Sequence, residues 1–354
     1  MKYQISFTEE FESQLHQTNS TLAVSIYQAG KILLINTDKE GSFKMTPISY
    51  SKPMGITSEN EKLAITTKTE LHLYANSAEL ASGIKTANGE LDHLYLPRVT
   101  YHTGDLDLHD IAYVNGRITA VNTRYSCICQ FDENHNFTPI WSPPFITQNT
   151  PEDRCHLNGM ELENGKLKYI TALGSGDYKD SWRENITESG ILMDIPANKV
   201  VLDGLAMPHS PRLHNGKLYL LESAKGELVE IDPETYAKRT IVKLKGLVRG
   251  LAIHNNLAFI GISKLREGST TFGKLGDDVK AENASIHIVD IKHSAILGVL
   301  NFGGSIEELY DIRILPNKKN IGVLGLYDER HKEAVTTPDN VFWKASKEET
   351  ESKG

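Results

Sequence analysis

The chain has 354 residues, 39% hydrophobic and 24% charged, an ordinary soluble composition that could fill one large domain. A formal charge of −8, with no lysine/arginine cluster, argues against a nucleic-acid surface, and no apolar run approaches the ~18 residues needed to span a bilayer. The polar, acidic N-terminus lacks the apolar core of a signal peptide, and three cysteines argue against a disulfide framework. The expectation is a reduced, cytoplasmic protein with neither nucleic-acid nor membrane partners.

Residues 1–19 form a weakly amphipathic lead-in (Ile5, Phe7, Phe11, Leu15). The first clear strands, Thr21–Tyr27 and Lys31–Asn36, flank a turn at Gln28-Ala29-Gly30. Similar hairpins recur around Asn115-Gly116, Asn164-Gly165 and Asn215-Gly216, pairs suited to the positive φ angles of tight turns, and around Asn255-Asn256. A third strand follows each hairpin, and several of these end in an aspartate (Asp132, Asp194, Asp232, Asp290) able to close the outgoing turn through its side chain. Six similar openings precede the hairpins, at residues 53, 109, 156, 209, 249 and 308. This spacing predicts an all-β chain: a single β-propeller of six blades, with seven as the alternative, spanning 20–327. The last opening is followed by two strands, 309–315 and 321–326, and the N-terminal pair 21–36 would complete that blade and close the ring. Polar insertions at 174–187 and 264–283 would lie over one face. Residues 328–354 read as a charged tail, partly disordered apart from Val341-Phe342-Trp343.

Several segments are dense in unusual combinations: Asn122-Thr-Arg-Tyr-Ser-Cys127, Pro151-Glu-Asp-Arg-Cys-His-Leu-Asn-Gly159, Trp182-Arg183-Glu184, Met207-Pro-His-Ser-Pro-Arg212, Ile262-Ser-Lys-Leu-Arg-Glu267 and Glu307-Glu-Leu-Tyr-Asp311. Over roughly residues 100–327 they resemble a family of uncharacterised, mainly bacterial conserved hypothetical proteins. The resemblance supports the domain and its residue set, and it implies no reaction.

In a propeller the innermost strands line one channel, so residues far apart in sequence meet at its mouth. His109, His156 and His209 stand at matched openings. Three imidazoles around one point suit a divalent metal (Zn, Fe or Mn) or acid–base work. Glu308 or Glu307 would assist as a fourth ligand or base, and Glu152 or Asp153 could orient an imidazole. Arg154, Arg212 and Arg249 flank the openings, while Arg183 and Arg266 lie in the insertions; guanidinium groups bind carboxylate or phosphate, so the partner would be an anionic small molecule or peptide side chain. Asn158, Asn122, Trp182 and Tyr310 complete the substrate-contact set. Cys155 adjoins His156 but should point to the opposite strand face, and Cys127 and Cys129 read as packing. The function expected is an enzyme at the channel mouth carrying out hydrolysis, elimination or oxygenation. The alternative is a non-catalytic propeller that binds a peptide, protein or glycan.

Overall fold

The computed structural model describes residues 4–82, 84–86, 89–265 and 275–344. Six sheets form a six-bladed β-propeller. Blade 1 runs from Ile56–Glu59 outward to His93–His102, blade 2 from Leu108–Val114 to Thr138–Trp141, and blade 3 from Leu157–Glu163 to Lys199–Leu205. Blade 4 runs from Pro208–His214 to Lys238–Lys243 and blade 5 from Leu247–His254 to Ala295–Gly303. Each innermost strand packs against the innermost strands of both neighbouring blades, so the ring is continuous.

Blade 6 closes the ring with strands from both ends of the chain. Its division differs from the expected two and two. Asp311–Leu315 is the single C-terminal strand, paired with Thr21–Ile26, which is followed by Lys31–Thr37 and Phe43–Ser49. Phe43–Ser49 pairs along its whole length with Lys31–Thr37 and fills the outer position. The short segment Ile321–Val323 instead joins blade 1, in parallel with His93–Tyr95.

The Asn-Gly pairs form the anticipated turns, with φ of 50° and 76° at Asn115-Gly116 and 49° and 72° at Asn215-Gly216. The strand-end aspartates act as expected: Asp132 accepts from the backbone N–H groups of Asn134 and His135, and Asp232 from those of Glu234 and Thr235. The core lies between blades. Val24, Leu33, Ile286, Phe259 and Ile312 form one such layer between blades 5 and 6.

Helix Glu9–Gln17 seals that layer with Phe11 and Leu15, both fully buried. Thr8 caps it by accepting from the Phe11 N–H, and Glu9, Glu10 and Glu12 sit at the positive end of its dipole. Gly298 permits this seat, because a Cβ there would lie 2.6 Å from the Phe11 backbone. Just before the helix, Gln4–Phe7 adds a fifth strand to blade 5. At the other end, Val341–Trp343 pairs with Ala334–Thr336, and Val341 and Trp343 pack against the cluster of Leu80, Leu91 and Leu94. Among the described residues no helix is long and apolar enough to cross a membrane.

Candidate active site at the channel mouth

The innermost strands do not begin as regular ladders. In blades 2, 3, 4 and 5 the pairing with the second strand slips within the first few residues, at 108–111, 157–159, 209–212 and 248–251. Such a bulge bends the strand and re-aims a side chain. Asp107, His156 and Met207 stand immediately before their strands with left-handed φ of 54°, 51° and 54°. By strand pairing, His109, His209 and Arg249 occupy one structural position in three blades. Tyr310 takes the same place ahead of Asp311-Ile312 that His109 takes ahead of Asp110-Ile111. His156 is the exception to the expected matched offsets: it aligns with Asp107 and Met207, two residues earlier.

All three histidines nevertheless line one cavity of about 430 Å³ at the mouth, together with Arg249, Arg183, Glu308, Tyr310 and Trp182. Their tautomers follow from their partners. The carbonyl of Asp107 and the hydroxyl of Thr123 lie 3.1 and 2.8 Å from His109 Nδ1. That hydroxyl already donates its hydrogen to the Leu157 carbonyl, so both groups accept and Nδ1 carries the proton. His209 repeats the device, with Nδ1 donating to the Met207 carbonyl at 3.0 Å and lying 2.9 Å from the Ser223 hydroxyl. Thr123 and Ser223 each stand fourteen residues after their histidine. His156 Nδ1 donates to the Asp153 carboxylate at 2.8 Å, so Asp153 plays the orienting role anticipated for it. In the neutral form of each ring Nε2 is thereby left as a bare lone pair. No hydrogen-bond partner for any of the three Nε2 atoms is found among the described residues.

Burial pushes His109 down to about 4, against the opposing pull of Asp107. Burial and then the Arg249 charge hold His209 well below the usual range. Both rings are therefore neutral at pH 7. Among the described residues no group of three or more His, Cys, Asp or Glu side chains comes close enough together to hold a metal ion.

A chain of planar groups runs through the mouth. Arg183 covers Trp182 at 4.1 Å, and Trp182 lies 4.2 Å from His156. His156 meets His109 edge-on at 4.9 Å, His109 lies tilted to Tyr310 at 5.3 Å, and the Arg249 guanidinium sits over Tyr310 at 3.6 Å. The Trp182 indole N–H also donates to Asp153 at 3.1 Å, locking the His156 orienter. Trp182 comes from the first insertion, which is tied down by Arg154. Its guanidinium bonds Glu152 and Asp177, and its carbonyl accepts from Ser181. Glu308 stands 3.7 Å from Arg249, beyond hydrogen-bond length.

Other anticipated residues lie elsewhere. Arg154 is the loop anchor just described and does not line the cavity. Arg212 is past the bulge and reaches along the channel to Asp110 (3.4 Å), Asp311 (3.8 Å) and Glu161 (3.9 Å). With Arg313, which bonds Asp110 and Asp311, these residues form a buried hub joining blades 2, 3, 4 and 6. Asp110 also accepts from the N–H groups of Ile111 and Met160, and Asp311 from those of Ile312 and Ile56, so each pins the next blade. Asn158 pins blade 3 to blade 4 by donating to the Pro208 carbonyl, while its own carbonyl accepts from Thr171. Asn122 is buried at the end of the second strand of blade 2, Arg117–Asn122, and accepts from the Tyr125 N–H. The Glu307 side chain is not part of the cavity wall. Arg266 lies outside the described residues. Cys127, Cys129 and Cys155 are buried free thiols, pushed up by burial and unsuited to nucleophilic work.

The residues that sequence reasoning missed are Asp107, Thr123, Ser223 and Tyr27 around the mouth, and the hub of Asp110, Glu161, Asp311 and Arg313. A signal existed for part of the set: Asp-Ile recurs at 110–111 and 311–312, and a hydroxyl residue recurs fourteen positions after His109 and His209.

A family model described as a domain of unknown function (DUF4915) matches residues 9–324, and the chain belongs to that family. No curated protein matches the chain.

Proposed function

We propose that this member of the DUF4915 family is an enzyme that moves a proton at the mouth of its propeller, on a small molecule whose anionic group meets Arg249. One observation carries the reading: three imidazoles have Nδ1 tied to fixed acceptors and a bare Nε2, and all three line a single cavity with Arg249. His156 is the base. Its Asp153 partner stabilises the imidazolium that forms when Nε2 takes a proton, as an orienting carboxylate does in a catalytic triad. His109 and His209, neutral and buried, accept hydrogen bonds from the substrate. Arg249, spread over Tyr310, takes its carboxylate or phosphate, and Glu308 and Arg183 bound the cavity. A base beside a held anion suits hydrolysis or elimination.

A bound Zn, Fe or Mn ion is the second reading. The tied Nδ1 atoms favour it, because metal-binding imidazoles commonly donate their other ring N–H in this way. It requires the three rings to draw closer than they stand here, and with a redox metal it extends the chemistry to oxygenation. A non-catalytic binding module is the competing class.

The test takes tag-free protein through elemental analysis and a screen of carboxylate esters, lactones, amides and hydroxy acids, beside His156→Asn and the His109→Ala/His156→Ala/His209→Ala variant. Turnover that falls at least about 100-fold in folded His156→Asn supports the base. About one ion per chain, lost in the triple variant, moves the assignment to metal chemistry. A ligand that binds through Arg249 and is returned unchanged makes the protein a binding module.

A further inference from the structure

We infer that the mouth selects a zwitterion of the amino-acid type, with a carboxylate for Arg249 and an ammonium group for the bare Nε2 atoms of His109 and His209. This rests on the proposed placement of an anionic group at Arg249 and goes further by naming what must lie beside it.

Three features lead there. First, the tautomers make this wall a set of acceptors. Each imidazole gives its one N–H to the protein, so a ligand group facing Nε2 must donate. A second carboxylate or a phosphate oxygen there would meet lone pairs, not donors. Second, the cavity is no simple anion trap. Among the described residues, five carboxylates and four basic side chains line it. Asp107 lies 3.5 Å from His109 and Glu308 3.7 Å from Arg249, so negative charge borders the acceptor wall and draws an ammonium in beside the carboxylate held by Arg249. Third, the donor and acceptor walls adjoin. Arg249 and His109 flank the same Tyr310 ring, at 3.6 and 5.3 Å. A short skeleton that carries both charges, as an α-amino acid does, meets both walls. A cavity of about 430 Å³ accommodates such a molecule with a side chain.

The experiment is calorimetric titration of the full chain at pH 7.5 with each common L-amino acid, its deaminated acid and its α-amide. Wild type is compared with His209→Asn and Arg249→Gln, each checked by circular dichroism and melting. The expected result is that at least one amino acid binds and that both relatives bind at least tenfold more weakly. His209→Asn should weaken the amino acid at least fivefold while leaving its deaminated acid unchanged, a split that a merely structural role would not give. A deaminated acid that binds as tightly as its amino acid overturns the inference. If that binding is lost in Arg249→Gln, the anionic reading of the mouth survives. Absence of binding by every amino acid overturns the inference as well.

Discussion

Glu161→Gln should stabilise the protein by an amount that grows as pH rises from about 4.5 and levels off above about 7. Glu161 projects from the innermost strand of blade 3 into the hub, where two arginines (Arg212, Arg313) face two aspartates (Asp110, Asp311). Those four charges balance, and an ionised Glu161 adds an excess negative charge. Its nearest guanidinium stands 3.9 Å away, too far for a hydrogen bond. Burial therefore outweighs the pull of Arg212 and pushes the carboxyl up to about 7 from 4.5. A raised acid binds its proton more tightly when folded, so its contribution is intact below pH 4.5 and is lost as pH rises towards 7. At about 1.4 kcal/mol per unit, ionisation costs roughly 3 kcal/mol by pH 8, and the 18% exposure of the side chain trims this towards 2. Glutamine keeps the shape without the charge. His109 has the opposite sign, so the two proteins must be compared at each pH rather than along one curve. Urea unfolding followed by circular dichroism at pH 5, 6, 7 and 8 measures the difference. A gain that grows from under about 1 kcal/mol at pH 5 to about 2–3 kcal/mol at pH 8 supports the reasoning. A variant less stable than wild type at pH 8 would refute it, because the arginines would then need the third carboxylate.

His109 should remain the neutral Nδ1–H tautomer down to about pH 4 by nitrogen NMR, and its depressed value means that stability present above pH 6.5 is lost as pH falls towards 4. A midpoint near 6.5 would show that the ring is not held as described. Asp153→Asn should cut turnover by at least about 100-fold and shift the pH–rate profile, with little change in melting temperature; an unaltered profile would remove His156 as the base. Gly159→Ala should cost about 1–3 kcal/mol in urea unfolding, because the new Cβ would lie 2.5 Å from Pro211 Cδ and 2.6 Å from Thr171 Oγ1 where blades 3 and 4 meet.

The openings were legible because each blade restates them. The expected positions 53, 109, 156, 209, 249 and 308 fall within three residues of the innermost strands that begin at 56, 108, 157, 208, 247 and 311. Less legible was the direction each residue faces, because strand alternation assigns sides only while the ladder is regular. The bulges break that rule at the candidate site: His209 turns to the mouth and Arg212 to the hub, although both belong to one motif. Arg154 and Asn158 were drawn into the expected site by proximity in sequence, yet their hydrogen bonds run to a loop and to the next blade. Phe43–Ser49, half-exposed and interrupted by Pro47, lacks the apolar alternation of a core strand, which is why the closing blade was divided wrongly.

The three-plus-one closure of blade 6 bears on synthesis. Thr21–Ile26 leaves the ribosome before all five other blades, and its partner Asp311–Leu315 emerges some 285 residues later. At about 5–20 residues per second that interval is on the order of 15–60 s. Throughout it, an apolar strand edge waits without its mate while five other blades assemble beside it. That edge stays open to aggregation until the last blade-forming segment arrives. A circular permutant that joins the ends and opens the loop between blades 3 and 4 would let blade 6 fold from contiguous sequence. Its refolding yield, set against that of the natural order, would measure how much the open edge costs.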